Sequence, residues 1–146
     1  MNVSKLMSRK LYTVSPDDSV EEAVRQLGQR GVRHLLVVQK GCLVGILSDR
    51  DLKRALEQTR GKKKKLLALG GLFFLLEPIY VNEIMTADPI TISPQATVQE
   101  AAKLMVSKRF GALPVVDDGE LLGIVTETDL LGYFATKTEG PRTSRK

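Results

Sequence analysis

Tryptophan is absent, cysteine and histidine occur once each, and only three Tyr and four Phe supply aromatic rings. Each shortage removes a class of function. With so few aromatics, a stacking platform for single-stranded nucleic acid is not expected. Cys42 alone excludes an intramolecular disulfide and any multi-cysteine zinc site, and it suits a reducing compartment. His34 alone excludes a histidine metal cluster. No nucleophile–base pair or metal-ligand set can be assembled from what remains, so an enzyme is not expected. The longest apolar run, residues 66–76, includes two glycines and falls short of the about 20 residues that span a bilayer. No apolar core of a secretory signal follows Met1, so the expectation is a cytoplasmic protein with no membrane span.

What is present is ordinary in amount and uneven in place. The chain of 146 residues is 42% apolar and 27% charged, within the range of globular proteins. Its net charge of +5 is concentrated in two stretches. Residues 53–65 carry +6 and residues 137–146 carry +3, which leaves −4 on the rest. The basic character therefore belongs to a linker and a tail. A nucleic-acid or acidic-surface partner acting through them is the alternative function, and nucleic acid is the less favoured partner.

The main organising feature is an internal repeat. A shift of 78 positions aligns residues 3–52 with 81–130 without a gap, and about a third of the paired positions are identical. Val3/Val81, Met7/Met85, Pro16/Pro94, Gly45/Gly123 and Asp51/Asp129 are among them. The expected division is repeat 1 over 1–59, a basic and apolar linker over 60–80, repeat 2 over 81–136 and a basic tail over 137–146.

Each copy reads the same way. A short apolar strand (11–14; 90–92) ends at Ser-Pro. Ser19-x-x-Glu22 and Thr97-x-x-Glu100 then form capping boxes that open an amphipathic helix. Two apolar strands (35–38 and 43–47; 113–116 and 121–125) flank the turn signals Lys40-Gly41 and Asp118-Gly119. A closing helix follows. The expectation is an α/β (α+β) fold of two β-α-β-β-α repeats packed with pseudo-twofold symmetry, since one copy of this size buries too little surface to stand firmly alone. The apolar segment 66–76 is expected to pack on the repeats or to lie at an interface.

The chemistry lies in GILSDRDL (45–52) and GIVTETDL (123–130). In each, a strand runs into a turn and then a helix whose first N–H groups and dipole favour phosphate. The Ser48 or Thr126 hydroxyl can donate to a phosphate oxygen. The carboxylate of Asp51 or Asp129 repels phosphate but can accept from both hydroxyls of a ribose. The same residues also make good helix caps. Duplication about a twofold favours the nucleotide-binding reading.

The series V-x-x-L/I-M, T-V/I-S-P, an amphipathic helix, RHLLVV or GALPVV, and G-h-h-S/T-x-x-D-L (h, apolar) resembles the cystathionine-β-synthase (CBS) domain. Two copies resemble a tandem CBS pair, or Bateman module, of the standalone bacterial type. The resemblance implies a regulatory module that senses adenine nucleotides or adenosyl compounds in a cleft between the copies. AMP, ADP, ATP or S-adenosylmethionine would be the ligand, with no tightly bound cofactor. It implies one site from Thr13, Arg33 and His34 with Ile124, Thr126, Thr128 and Asp129. A second would combine Thr91, Gly111 and Ala112 with Ile46, Ser48, Arg50 and Asp51. It also implies a homodimer and a regulated protein partner. Leu52, Ala55 and Leu56, and Leu130, Leu131 and Phe134, would supply the apolar helix faces for dimerisation.

Overall fold

A computed structural model describes residues 1–59, 66–69, 72–75 and 78–138. The lysine run 62–65 and nearly all of the basic tail, on which the acidic-surface alternative rests, lie outside the described residues.

The chain divides into two compact units, one formed by Tyr12–Pro89 and the other by Met1–Leu11 with Ile90–Lys146. The first contains β1 (Thr13–Val14), α1 (Val20–Arg30), β2 (His34–Gln39), β3 (Cys42–Ser48) and α2 (Asp49–Thr59). A hairpin of β4 (Leu66–Leu69) and β5 (Leu72–Leu75) follows, then a short α3 (Val81–Ile84) and β6 (Thr86–Ala87). The second contains a 3-10 turn (Val3–Lys5), α4 (Val98–Lys108), β7 (Ala112–Asp117), β8 (Glu120–Thr126) and α5 (Glu127–Thr138).

The sheets repeat one plan. In the first unit β1 is parallel to β2, β2 antiparallel to β3, and β3 antiparallel to β6. In the second, β7 and β8 pair antiparallel; Ile92 bridges β7 in parallel and Ser8 bridges β8 antiparallel. The 78-residue shift carries Thr86, opposite Ile46, onto Ser8, opposite Ile124. Each unit thus takes an edge from the stretch that opens the other sequence repeat.

Glycine shows why that edge fits. A Cβ on Gly123 would stand 2.6 Å from the Ser8 carbonyl oxygen and 2.9 Å from Met7 Sδ. One on Gly45 would stand 2.5 Å from Met85 Sδ and 3.0 Å from the Thr86 carbonyl oxygen. A side chain at Gly123 would have to displace the Ser8 backbone, whereas one at Gly45 would first push the Met85 side chain aside. The exchanged segments also fill the cores. Val3 and Met7 join Leu113, Val115 and Val125 in one. Val81 joins Leu35, Val37 and Leu47 in the other, with Met85 packed against it. The continuous apolar runs are thus buried strands, as their composition suggests.

Local signals explain most element ends. Lys40-Gly41 and Asp118-Gly119 all have positive φ, the geometry of a two-residue hairpin turn that matches strand twist. Helix α1 ends at Gly31 in the left-handed region, and α4 ends at the matching Arg109, also left-handed with φ +60°.

Two expectations change, and the linker gains a structure that was not foreseen. The Ser19–Glu22 capping box is half made: Ser19 Oγ accepts from the Glu22 N–H, but the Glu22 carboxylate turns to Arg25 and Gln26. At α4 the box is complete, with Thr97 and Glu100 bonded in both directions. The apolar part of the linker forms strands, with Leu66 opposite Leu75 and Leu69 opposite Leu72. Finally, Leu52 and Ala55 are buried within the chain, so they offer no free dimer face. On the matching helix Leu131 and Phe134 are exposed, whereas Leu130 packs on the core.

Candidate functional site

In each unit the last residue of the second long strand carries the hydroxyl, and the helix that follows at once carries the acid. Ser48 ends β3 and Thr126 ends β8. Buried Leu47 and Val125, one residue earlier, fix the strand in the core. Alternation then turns Ser48 and Thr126 away from it, and both are half-buried.

The two turns are reciprocal caps. Ser48 Oγ accepts from the Asp51 N–H at 3.1 Å, and Asp51 Oδ2 accepts from the Ser48 N–H at 2.9 Å. In the second repeat the corresponding distances are 3.2 Å and 2.8 Å. The capping chemistry is therefore realised in both copies. It does not exhaust these groups. A hydroxyl that accepts one bond can still donate its own proton, and a carboxylate has about four acceptor positions. The cap fixes the rotamers of both side chains before any ligand arrives, which reduces the ordering cost of binding.

The segment before the middle strand joins the same end of each sheet. The Arg33 carbonyl accepts the Asp49 N–H, and the Gly111 carbonyl accepts the Glu127 N–H, each at 3.0 Å. His34 lies opposite Ser48, and Ala112 opposite Thr126. Thr13 pairs with Leu36, whose other neighbour is Ile46. Thr91 precedes Ile92, which bridges Val115, and Ile124 pairs with Pro114.

The fourteen singled-out residues thus form two matched sets of seven. Thr13, Arg33, His34, Ile46, Ser48, Arg50 and Asp51 lie in the unit Tyr12–Pro89. Thr91, Gly111, Ala112, Ile124, Thr126, Thr128 and Asp129 lie in the other. Each site implied by the family resemblance draws from both sets. Ala112 is buried, and as the cross-strand partner of Thr126 it lies on the same face of the sheet.

The acids differ in one respect that the motif does not show. Arg54 Nη1 lies 3.5 Å from Asp51 Oδ1. The matching position to Arg54 is Gly132, and among the described residues no cation pairs with Asp129. An i, i+3 scan from each motif acid would have found Arg54 in the sequence. Among the described residues, no three of His, Cys, Asp and Glu gather as a metal site, and no helix is long and apolar enough to cross a membrane.

Known proteins share this arrangement. The CBS domain family model matches residues 3–58 and again 81–136. A CBS domain-containing protein of Dictyostelium discoideum is 37% identical over 136 residues, covering 88% of each chain. An inosine-5'-monophosphate dehydrogenase of Korarchaeum cryptofilum is 40% identical over 139 residues; the match covers 92% of this chain but only 25% of that enzyme. The CBS domain pair of protein MJ0100, solved with 5'-methylthioadenosine and S-adenosyl-L-methionine, superimposes with a TM-score of 0.78 at 29% identity, covering 94% of this chain and 98% of that one. CBSX2 in complex with AMP superimposes with a TM-score of 0.70 at 28% identity, with the same coverage. With two matches to the family model, the same strand–turn–helix motif in both copies and a shared fold along nearly the whole length, the chain belongs to the CBS domain family, as two domains in tandem.

Proposed function

We propose that this chain is a regulatory module whose paired repeats reversibly bind an adenine nucleotide or adenosyl compound, with AMP, ADP, ATP or S-adenosylmethionine as the candidate ligands. The observation that carries this reading is the duplicated, reciprocally bonded turn. In each copy a hydroxyl and a carboxylate are held ready at a helix N-terminus, with donor and acceptor capacity to spare. The solved CBS pairs that hold AMP or adenosyl compounds support the ligand class. Binding would bias the module's conformational equilibrium, and a protein partner in the cytoplasm, or a second copy of the chain, would read the bias. Exposed Leu131 and Phe134 on α5 support a homodimer.

The test is thermal or chemical denaturation with each candidate ligand. A ligand at 100 times its dissociation constant adds about 2.7 kcal/mol to stability. A clear rise with one member of the panel is expected, and unchanged melting with all of them overturns the proposal.

A further inference from the structure

The hairpin β4–β5 lies between the two domain matches, the first ending at residue 58 and the second starting at 81. Neither copy of the repeated plan therefore includes it. It forms a two-stranded sheet of its own, and among the described residues neither strand pairs with any other. Leu67 pairs with Phe74, and Ala68 with Phe73. Adjacent pairs such as these belong to opposite faces of the ribbon. All eight paired residues are apolar, so neither face carries a polar residue. An antiparallel sheet that keeps one face in water alternates apolar and polar residues. Here, covering one face with the rest of the chain still leaves an apolar face to be covered.

The flanking sequence indicates what covers it. Residues 58–76 carry five cations and no acid, and the lysines at 62–65 run directly into Leu66. A second copy of the hairpin would bring a second lysine run against the first, and the tail 137–146 is also basic at +3. Neither complements this charge. An anionic lipid surface complements both parts, with apolar residues at the acyl boundary and lysines among the headgroups. The length fits as well. Each strand has four residues, about 13 Å at the usual rise, whereas a membrane-crossing strand takes about 9–11 residues. Such a hairpin lies at the headgroup level, where water and phosphate oxygens satisfy its strand edges, and does not cross. We infer that β4–β5 docks this chain on an anionic membrane surface, with the lysines that precede it in sequence supplying the attraction. The inference does not rest on the nucleotide-binding proposal.

Co-sedimentation of the full chain with vesicles tests it. One set contains equal parts phosphatidylserine and phosphatidylcholine, the other phosphatidylcholine alone. Binding to the anionic set is expected. It should weaken about tenfold or more on the neutral set and in K62Q/K63Q/K64Q/K65Q, because each lysine near such a surface contributes a factor of about five. High salt should weaken it too, while nucleotide affinity stays the same in the lysine variant. The chain has no tryptophan, so F73W and F74W each place a single reporter on one face of the ribbon. With anionic vesicles, the emission of at least one should shift to the blue. The lysine variant changes no residue of either matched domain and covers the case in which a tryptophan variant fails to fold. Absence of co-sedimentation overturns the inference, as does binding that is equal on both vesicle types. Charge-dependent sedimentation with no shift in either reporter would leave the hairpin out of the contact and overturn its role. Self-association that vesicles do not affect and L67S/F74S abolishes would assign the hairpin to a second copy, and would overturn it as well.

Discussion

Gly123 and Gly45 occupy matching positions but face different obstacles. At Gly123 the nearest atom to a built Cβ is a backbone oxygen, that of Ser8. At Gly45 it is the sulfur of Met85, on a flexible side chain. Gly123→Ala should therefore destabilise by about 2 kcal/mol or more, while Gly45→Ala should cost less because methionine can yield. Urea titration of each variant measures the difference; equal costs would contradict the packing described. Arg109 offers the opposite effect. It holds φ +60° at a helix end where its counterpart is Gly31. Arg109→Gly removes the left-handed penalty, and an increase in stability of about 1 kcal/mol is expected. No increase, or a decrease, would show that the Arg109 side chain contributes more than its backbone costs.

At the scale of the element, the helices α1 and α4 show how a shared signal can be used differently. Thr97 and Glu100 close their box, whereas Glu22 pairs with Arg25. The Arg25 guanidinium, and secondarily Gln26, hold the Glu22 carboxyl below its ordinary value of 4.5. A lowered folded-state pKa contributes stability that is fully present above the unfolded value and disappears as pH falls through the folded one. Glu22→Gln should therefore be less stable than the parent at neutral pH, with the gap closing below the ordinary carboxylate range. Parallel urea titrations at neutral and acid pH check this, and a gap that persists in acid would contradict it. The element level also shows what could be read in the sequence. Ser48, Asp51, Thr126 and Asp129 were legible because a cap is a local device, three residues long. The strands around Leu35 and Leu113 were legible because buried runs are continuous. Charge competition at Glu22 was not legible, because the box motif takes no account of Arg25. The hairpin β4–β5 was missed because periodicity alone does not tell a short apolar run in a strand from one in a buried helix, although the Gly-Gly between Leu69 and Leu72 was an available turn signal.

At the scale of the whole molecule, the repeat was plain from sequence but its exchange of edges was not. Met7 and Gly123 recur at fixed spacing, yet nothing local says that they touch each other across 116 positions. Leu52 and Ala55 were open to the same ambiguity: an apolar stripe on a helix does not say whether its own core or another chain will cover it. The core covers them. Within each unit, the result of this assembly is one hydroxyl–carboxylate turn seated at the end of a packed sheet. The functional claim rests on those two turns acting as ligand groups as well as caps, and isothermal titration of adenine nucleotides against Asp51→Asn and Asp129→Asn separates the two roles. An asparagine oxygen keeps the bond from the Ser48 or Thr126 N–H, so the fold should survive, while the acceptor pair for a ribose is lost. The expected result is melting close to that of the parent, with affinity weakened about tenfold or more in at least one variant; undiminished affinity in both would contradict the claim.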